Sequence, residues 1–155
     1  MIATEVRLRT ATVEDAVALR PILAATVADH LGALPEPVLS PLVAMQLDVR
    51  ERAWADANPH AENLVIDVDG AVAGRALVDR SSERWVIIDL VVEGARRGRG
   101  IATAAIRSLQ NEAPAIDLHV WSADARTAAL YARLGFVAAA AGSSPEYSAL
   151  SWEAR

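Results

Sequence analysis

The chain has 155 residues, 53% of them hydrophobic, with 15 basic against 20 acidic side chains and a formal net charge of -5. That length is one domain's worth, 1–155, and large enough to bury roughly two thirds of its unfolded surface without a staple. Zero cysteines exclude a disulfide framework, a thiolate metal site and a cysteine nucleophile, and the acidic balance argues against a nucleic-acid partner, which demands a basic face.

No apolar run approaches the roughly 20 residues of a membrane span, and the charged N-terminus is not that of a signal peptide. The expectation is a soluble, cytoplasmic protein with no membrane partner. Val6-Arg7-Leu8-Arg9 alternates like a half-buried first strand. Thr12 three residues before Asp15 reads as a helix cap, and Ala16, Leu19, Leu23 and Val27 follow at helical spacing as its core face. Pro21 lies inside that pattern, so a kink or a split is expected there. Gly32, Pro35, Pro37 and Pro41 break the next stretch. Ser40-Pro41 looks like an N-cap with proline at the first helical position. Leu42, Met45, Val49 and Ala53 then form an apolar stripe that Asn58-Pro59 ends, and Asp48, Glu51 and Asp56 read as a solvated face of that helix.

Leu64 to Val68 and Val72 to Val78 are strands joined across Asp69-Gly70, a strong hairpin signal. Trp85 to Val92 is nearly all apolar, as in a central strand covered on both faces, and Asp89 is its one interruption. Ile101, Ala105 and Leu109 give the next helix its core side, with Pro114 as the stop. Ile116 to Trp121 is a further strand. A helix capped by Asp124 or Ser122 reaches Leu134, with Gly135 at its left-handed end. Phe136 begins a sixth strand, and Glu146 to Trp152 supplies a seventh at the C-terminal edge.

The chemistry concentrates between the central strand and the helix after it, in Glu93-Gly94-Ala95-Arg96-Arg97-Gly98-Arg99-Gly100-Ile101-Ala102. Glycines allow close backbone approach, and a helix start offers unpaired N–H groups and the positive end of its dipole. This is an anion site suited to phosphate or pyrophosphate, with three arginines around it. A P-loop needs a lysine, and the chain has none. A dinucleotide fingerprint would run Gly98, Gly100, Thr103, with threonine in place of the small third residue and some ninety residues too late in the chain.

A third template fits. Arg97-Gly98-Arg99-Gly100-Ile101-Ala102 matches R/Q-x-x-G-x-G/A, and Ala128-Ala129-Leu130-Tyr131-Ala132-Arg133-Leu134-Gly135-Phe136 matches A-x-x-L-Y-x-x-x-G-F at the usual separation. Over residues 86 to 136 the chain resembles the GNAT acetyltransferase superfamily. The resemblance implies an α/β (α+β) fold, a mixed six- to seven-stranded sheet flanked by about four helices and splayed between strands 4 and 5. It also implies acetyl-CoA as acyl donor, no metal, and a small-molecule or peptide amine as acceptor, with homodimerisation left open.

Carried over residue by residue, the resemblance gives cofactor contacts to Leu90, Val91, Val92, Arg97, Gly98, Arg99, Gly100, Ile101, Ala102, Asp124 and Tyr131, and catalytic roles to Tyr131, Asp89 and Leu90. The Leu90 N–H would donate to the thioester oxygen. The Tyr131 phenol would protonate the leaving thiolate. Asp124 stands where relatives place asparagine, and N-capping is its competing role. Asp89 remains where relatives read Glu-Asp. It is either the base, a carboxylate made harder to ionise by a buried apolar strand, or a strand-shaping residue bonded to nearby backbone. His30, His60 and His119 lack metal spacing, and His119 is the one expected near the splay. Two rival functions remain, a CoA-binding module without catalysis and an enzyme that acetylates aminoacyl-tRNA.

Overall fold

A computed structural model describes residues 4–155. The first three residues, part of the N-terminal stretch and of the 1–155 domain considered above, lie outside the described residues. Seven strands form one sheet in the order β1-β2-β3-β4-β5-β7-β6. In chain order the elements are β1 (Val6–Thr10), α1 (Ala16–Leu31), α2 (Leu39–Ala57), β2 (Ala61–Val68), β3 (Ala71–Asp79), β4 (Arg84–Val92), α3 (Ile101–Glu112), β5 (Ala115–Trp121), α4 (Ala125–Arg133), β6 (Val137–Ala138) and β7 (Tyr147–Glu153). Helices α1 and α2 cover one face through Ile22, Leu23, Val27, Val43 and Leu47, which meet Val91. Helices α3 and α4 cover the other, where Ile106, Leu109, Tyr131 and Leu134 pack on Ala76, Val78, Ile87, Ile116 and Leu118. No helix among the described residues is long and apolar enough to cross a membrane.

Several expectations hold in detail. The β2–β3 hairpin turns at Asp69 (φ 51°) and Gly70 (φ 87°), both left-handed as a two-residue primed turn requires. Gly135 (φ 92°) ends α4 in the left-handed conformation that only glycine adopts at no steric cost. Helix α1 runs unbroken through Pro21. The proline lies on the exposed face next to exposed Val17, where water can take the carbonyl that loses its N–H partner.

Other expectations are corrected. Ala16 is exposed, and Ile22 takes the core position. Ser40 does not cap α2, which starts one residue earlier at Leu39, because the Pro35 carbonyl accepts the N–H groups of Val38 and Leu39. The α2 core stripe is Val43 and Leu47, while Met45, Val49 and Ala53 are exposed. Two stripes of similar period interleave on this helix, and docking on α1 selects one. Asp15 does accept the Thr12 N–H at 2.7 Å, but its carboxylate also pairs with Arg9 at 2.8 Å. Arg9 reaches on to Asp67 at 3.1 Å.

Strand β7 does not lie at the edge. It pairs with β5 over seven positions, from Ala115↔Glu153 to Trp121↔Tyr147, and β6 becomes the edge. The two residues of β6 cannot satisfy the backbone of a seven-residue strand, and β7 can.

Strand β4 carries the two irregularities that shape the site. Its register on β3 passes from Leu77↔Asp89 to Val78↔Ile87, so Ile88 is the extra residue of a β-bulge. In a regular strand Asp89 would share a face with Ile87. The bulge instead leaves Ile87, Leu90 and Val92 on the α3 side and turns Asp89 and Val91 toward α1 and α2. Close approach of β3 is the second feature. A Cβ on Gly74 would stand 1.9 Å from the Val91 carbonyl oxygen, so only glycine fits. Gly74→Ala is expected to destabilise the fold by about 3 kcal/mol, read as a lower urea midpoint with an unchanged m-value. An unaffected midpoint would mean that β4 shifts freely and the contact sets nothing.

Candidate active site

The parallel β4–β5 pairing runs from Arg84↔Ala115 to Ile87↔Leu118 and then stops. Strand β4 continues for five residues to Val92 and β5 for three to Trp121, so the sheet opens there. The direction of the backbone groups along this opening follows from two contacts. The Glu93 N–H donates to the Ala73 carbonyl at 2.7 Å, and the Val91 carbonyl crowds Gly74, so both residues turn toward β3. By strand alternation Leu90 and Val92 turn theirs toward the opening. The Val92 carbonyl there accepts the Arg97 Nε at 3.2 Å.

Beyond β4 the chain makes a short 3-10 turn at Gly94–Arg96 and enters α3 through Gly100. Gly98 (φ 76°) and Gly100 (φ 78°) are both left-handed, and a Cβ at either would meet nothing within 4 Å. The space in front of the loop is therefore open. The first intrahelical bond runs from the Ala104 N–H to the Gly100 carbonyl at 3.0 Å. The N–H groups of Ile101, Ala102 and Thr103 have no acceptor among the described residues, as the start of a helix dictates. Arg96 pairs with Glu93 at 2.9 Å. Arg97 and Arg99 are exposed. The structure thus brings the backbone of Gly98 to Ala102 together as a stretch, exposed through Gly100, that opens a helix, with the charged side chains of Arg97 and Arg99 beside it, a fit for a pyrophosphate.

From the other side α4 contributes Tyr131, which is 6% exposed and packs edge-on against Phe136 at 5.3 Å. Burial first, and the negative charge of Asp89 second, push its phenol up to about 12. The hydroxyl is a donor throughout the physiological range. Asp124 caps α4. One oxygen accepts the Thr127 N–H at 3.0 Å and the other the Thr127 hydroxyl at 2.6 Å. The hydroxyl, then the N–H, hold its carboxyl below the usual range. Both oxygens are engaged in capping.

Asp89 is neither in apolar surroundings nor tied to backbone. Its Oδ2 accepts Arg75 Nη2 at 2.6 Å, and the Arg75 Nη1 donates to Glu51 of α2. Glu51, half-buried, is therefore tied to a buried arginine and is not simply part of a solvated face. Sequence reading missed Arg75, which is 3% exposed on β3; the available signal was a single arginine in an otherwise apolar strand. His119 is exposed on the part of β5 beyond its last β4 partner and bonds the Gly142 carbonyl at 3.2 Å. His30 sits 6.2 Å from the Trp121 ring. No group of three or more potential metal ligands occurs among the described residues. A cavity of about 420 Å³ lies between α1, α2 and strands β2 and β3. Arg75 and Glu51 line it, but no residue of β4, β5, α3 or α4 does, so it is not the opening in the sheet.

Comparison with known proteins defines first the class of fold. The structure is similar to an N-acetyltransferase of Thermoplasma acidophilum solved in complex with coenzyme A, with a TM-score of 0.70 at 11% identity over 97% of this chain and 99% of that one. It is similar to a histone acetyltransferase HPA2 and related acetyltransferase of Corynebacterium glutamicum, at 0.68 and 22% identity over 94% of each chain. The ribosomal-protein-S18-alanine N-acetyltransferase of Escherichia coli matches at 0.63 and 15% identity, over 96% of this chain and 94% of that one. No curated protein matches the sequence significantly. The model of the acetyltransferase (GNAT) family matches residues 30–136. The chain belongs to that family.

The cap on α4 is open to direct test. Asp124→Ala is expected to cost about 1 kcal/mol at pH 7. Because the folded carboxyl titrates below its unfolded value, the contribution is complete above about pH 4 and fades as pH falls through the folded value. The difference between wild type and variant in urea denaturation should therefore shrink between pH 5 and pH 2. A pH-independent difference would assign the effect to helix packing.

Proposed function

We propose that this protein transfers an acetyl group from acetyl-CoA to an amine by direct attack in a ternary complex. The observation that carries the reading is the opening between β4 and β5. Strand β4 runs past its last β5 partner with Leu90 on the open stretch, the unpaired N–H groups of the Gly98 to Ala102 loop follow its end, and α4 brings the side chain of Tyr131 to the other side. Family membership supports it.

In this scheme the pyrophosphate lies on the N–H groups of Gly98, Gly100, Ile101 and Ala102, with Arg97 and Arg99 near it. The pantetheine arm runs along the backbone of Leu90, Val91 and Val92. The amine nitrogen attacks the thioester carbonyl carbon, and the Leu90 N–H meets the oxygen on which negative charge grows. The carbon–sulfur bond breaks, and Tyr131 gives its proton to the leaving thiolate. The proton shed by the amine passes to Asp89, and once the amide and the free CoA thiol leave, Asp89 returns a proton to Tyr131 through solvent, so the net charge of the enzyme is unchanged. A lysine-like amine gives up roughly 4.6 kcal/mol of protonation preference at pH 7 and an α-amine roughly 1, so weakly basic amines are the easier acceptors. Asp124, with both oxygens held by Thr127, is left with capping alone.

A module that binds CoA without catalysis is the rival reading, favoured by the engagement of Asp124 as a cap. Release of CoA thiol across a panel of polyamines, amino acids and peptide N-termini separates the two, since the rival gives none.

Acetyl-CoA at about 100 times its Kd should stabilise the fold by about 2.7 kcal/mol. Gly98→Val or Gly100→Val should abolish the corresponding rise in Tm, because a side chain would fill the open space before the loop and the positive φ resists it. A rise equal to wild type would remove the loop from the site. Tyr131→Phe should lower kcat on the order of 10²-fold while leaving acetyl-CoA affinity within a few-fold. Equal losses of rate and affinity would mark Tyr131 as a packing residue.

A further inference from the structure

Arg75 is an unusual residue to find 3% exposed in the middle of a sheet. Its guanidinium spans two elements that sequence does not connect, with Nη1 on Glu51 of α2 and Nη2 on Asp89 of β4. Its Nε is buried without a partner. Nε and Nη2 share one edge of the planar fork, the edge that normally grips both oxygens of a carboxylate. Here that grip is half closed. Asp89 gives the fork Oδ2 alone, and its Oδ1 has no hydrogen bond within the described chain. The bulge at Ile88 is what aims Asp89 at Arg75, and Trp54 of α2 closes over the guanidinium at 5.8 Å.

We infer that Arg75 is a positioning residue for acetyl transfer: it holds the Asp89 carboxylate by one oxygen, leaves the other for the attacking amine, and anchors this arrangement to α2 through Glu51. The inference rests on the acetyl-transfer reading and adds to it a reason for the orientation of Asp89. It also makes α2 a structural partner of the site without contact to substrate. The charged and titratable groups around Asp89 are few. Arg75 faces it from β3. Helix α2 brings Glu51 and, over the Trp54 ring at 4.8 Å, Arg50. Tyr131 comes from α4, and the buried residues of α1 are all aliphatic.

Such an arrangement has a signature that packing alone would not produce. Glu51 and Asp89 compete for one cation. Removing the Glu51 charge leaves Arg75 to Asp89 alone and favours the ionised Asp89. Removing the Arg75 charge does the reverse. In the full chain with 13C-labelled aspartate, the Asp89 carboxyl carbon is assigned by its loss in Asp89→Asn and titrated by NMR. Glu51→Gln, which is nearly isosteric, should lower its midpoint, and Arg75→Gln should raise it, each on the order of one pH unit. With the fastest acceptor of the amine panel, the acid limb of kcat/KM should move in the same two directions. Arg75→Lys keeps one charge but cannot span both carboxylates, so it should lose at least tenfold in kcat with little change in KM for acetyl-CoA.

If Arg75→Gln does not fold, Glu51→Gln and Arg75→Lys decide the matter. An unmoved Asp89 midpoint in Glu51→Gln, or Arg75→Lys as active as wild type, would overturn the inference. Absence of thiol release by the wild type would overturn the acetyl-transfer reading instead, and the NMR titration would still report on the network.

Discussion

Backbone N–H and C=O groups in a sheet need partners, and β4 leaves part of its β5 side without them after Ile87. Much of the surrounding structure serves to keep those groups open. Strand β3 pairs with β4 from Val86 to Val92 on its other side and comes so close at Gly74 that no Cβ fits. Strand β7 takes over the pairing of β5 and holds it as a seven-residue strand although its neighbour has diverged. Helix α3 starts after the short turn that follows β4, so the open end of the strand and the unpaired N–H groups of the helix start lie on successive segments of the chain. Unpaired groups of this kind persist where a polar ligand completes them.

The faces of the sheet are divided by chemistry as well as by helices. On the α3 and α4 side the contacts are aliphatic and aromatic, with Tyr131 as the polar exception. On the α1 and α2 side a buried guanidinium links two carboxylates. Desolvating such charges offsets much of what their attraction gains, whereas removing one partner leaves an uncompensated charge and costs about 3 to 5 kcal/mol. The network therefore acts less as a source of stability than as a constraint on geometry. It fixes α2 against β3 and β4 at the level where the sheet opens.

The loop and its flanks were legible because they obey local rules. Left-handed turns need glycine, a helix must start with free N–H groups, and Asp124 and Gly135 bracket α4 with standard capping chemistry. Asp89 was visible as an anomaly, a carboxylate in an apolar strand, but its partner was not. Arg75 stands fourteen residues away and Glu51 thirty-eight, and nothing local in either segment marks them as neighbours. Glu51 read as solvated because a charge on an amphipathic helix usually is.

Sequence by itself determined the strand and helix inventory, the glycine turn with its anion-binding helix start, the tyrosine helix and the family they resemble. All of these follow from short-range periodicity and from residues whose backbone conformations are restricted. Tertiary structure alone decided the rest. It chose between interleaved stripes on α2, set β7 inside β6, and turned Asp89 to the α2 face by one extra residue at Ile88. Each depends on how a segment meets a distant one, because register and helix phase are fixed by packing partners, and a one-residue change in strand pairing reverses which face a side chain occupies.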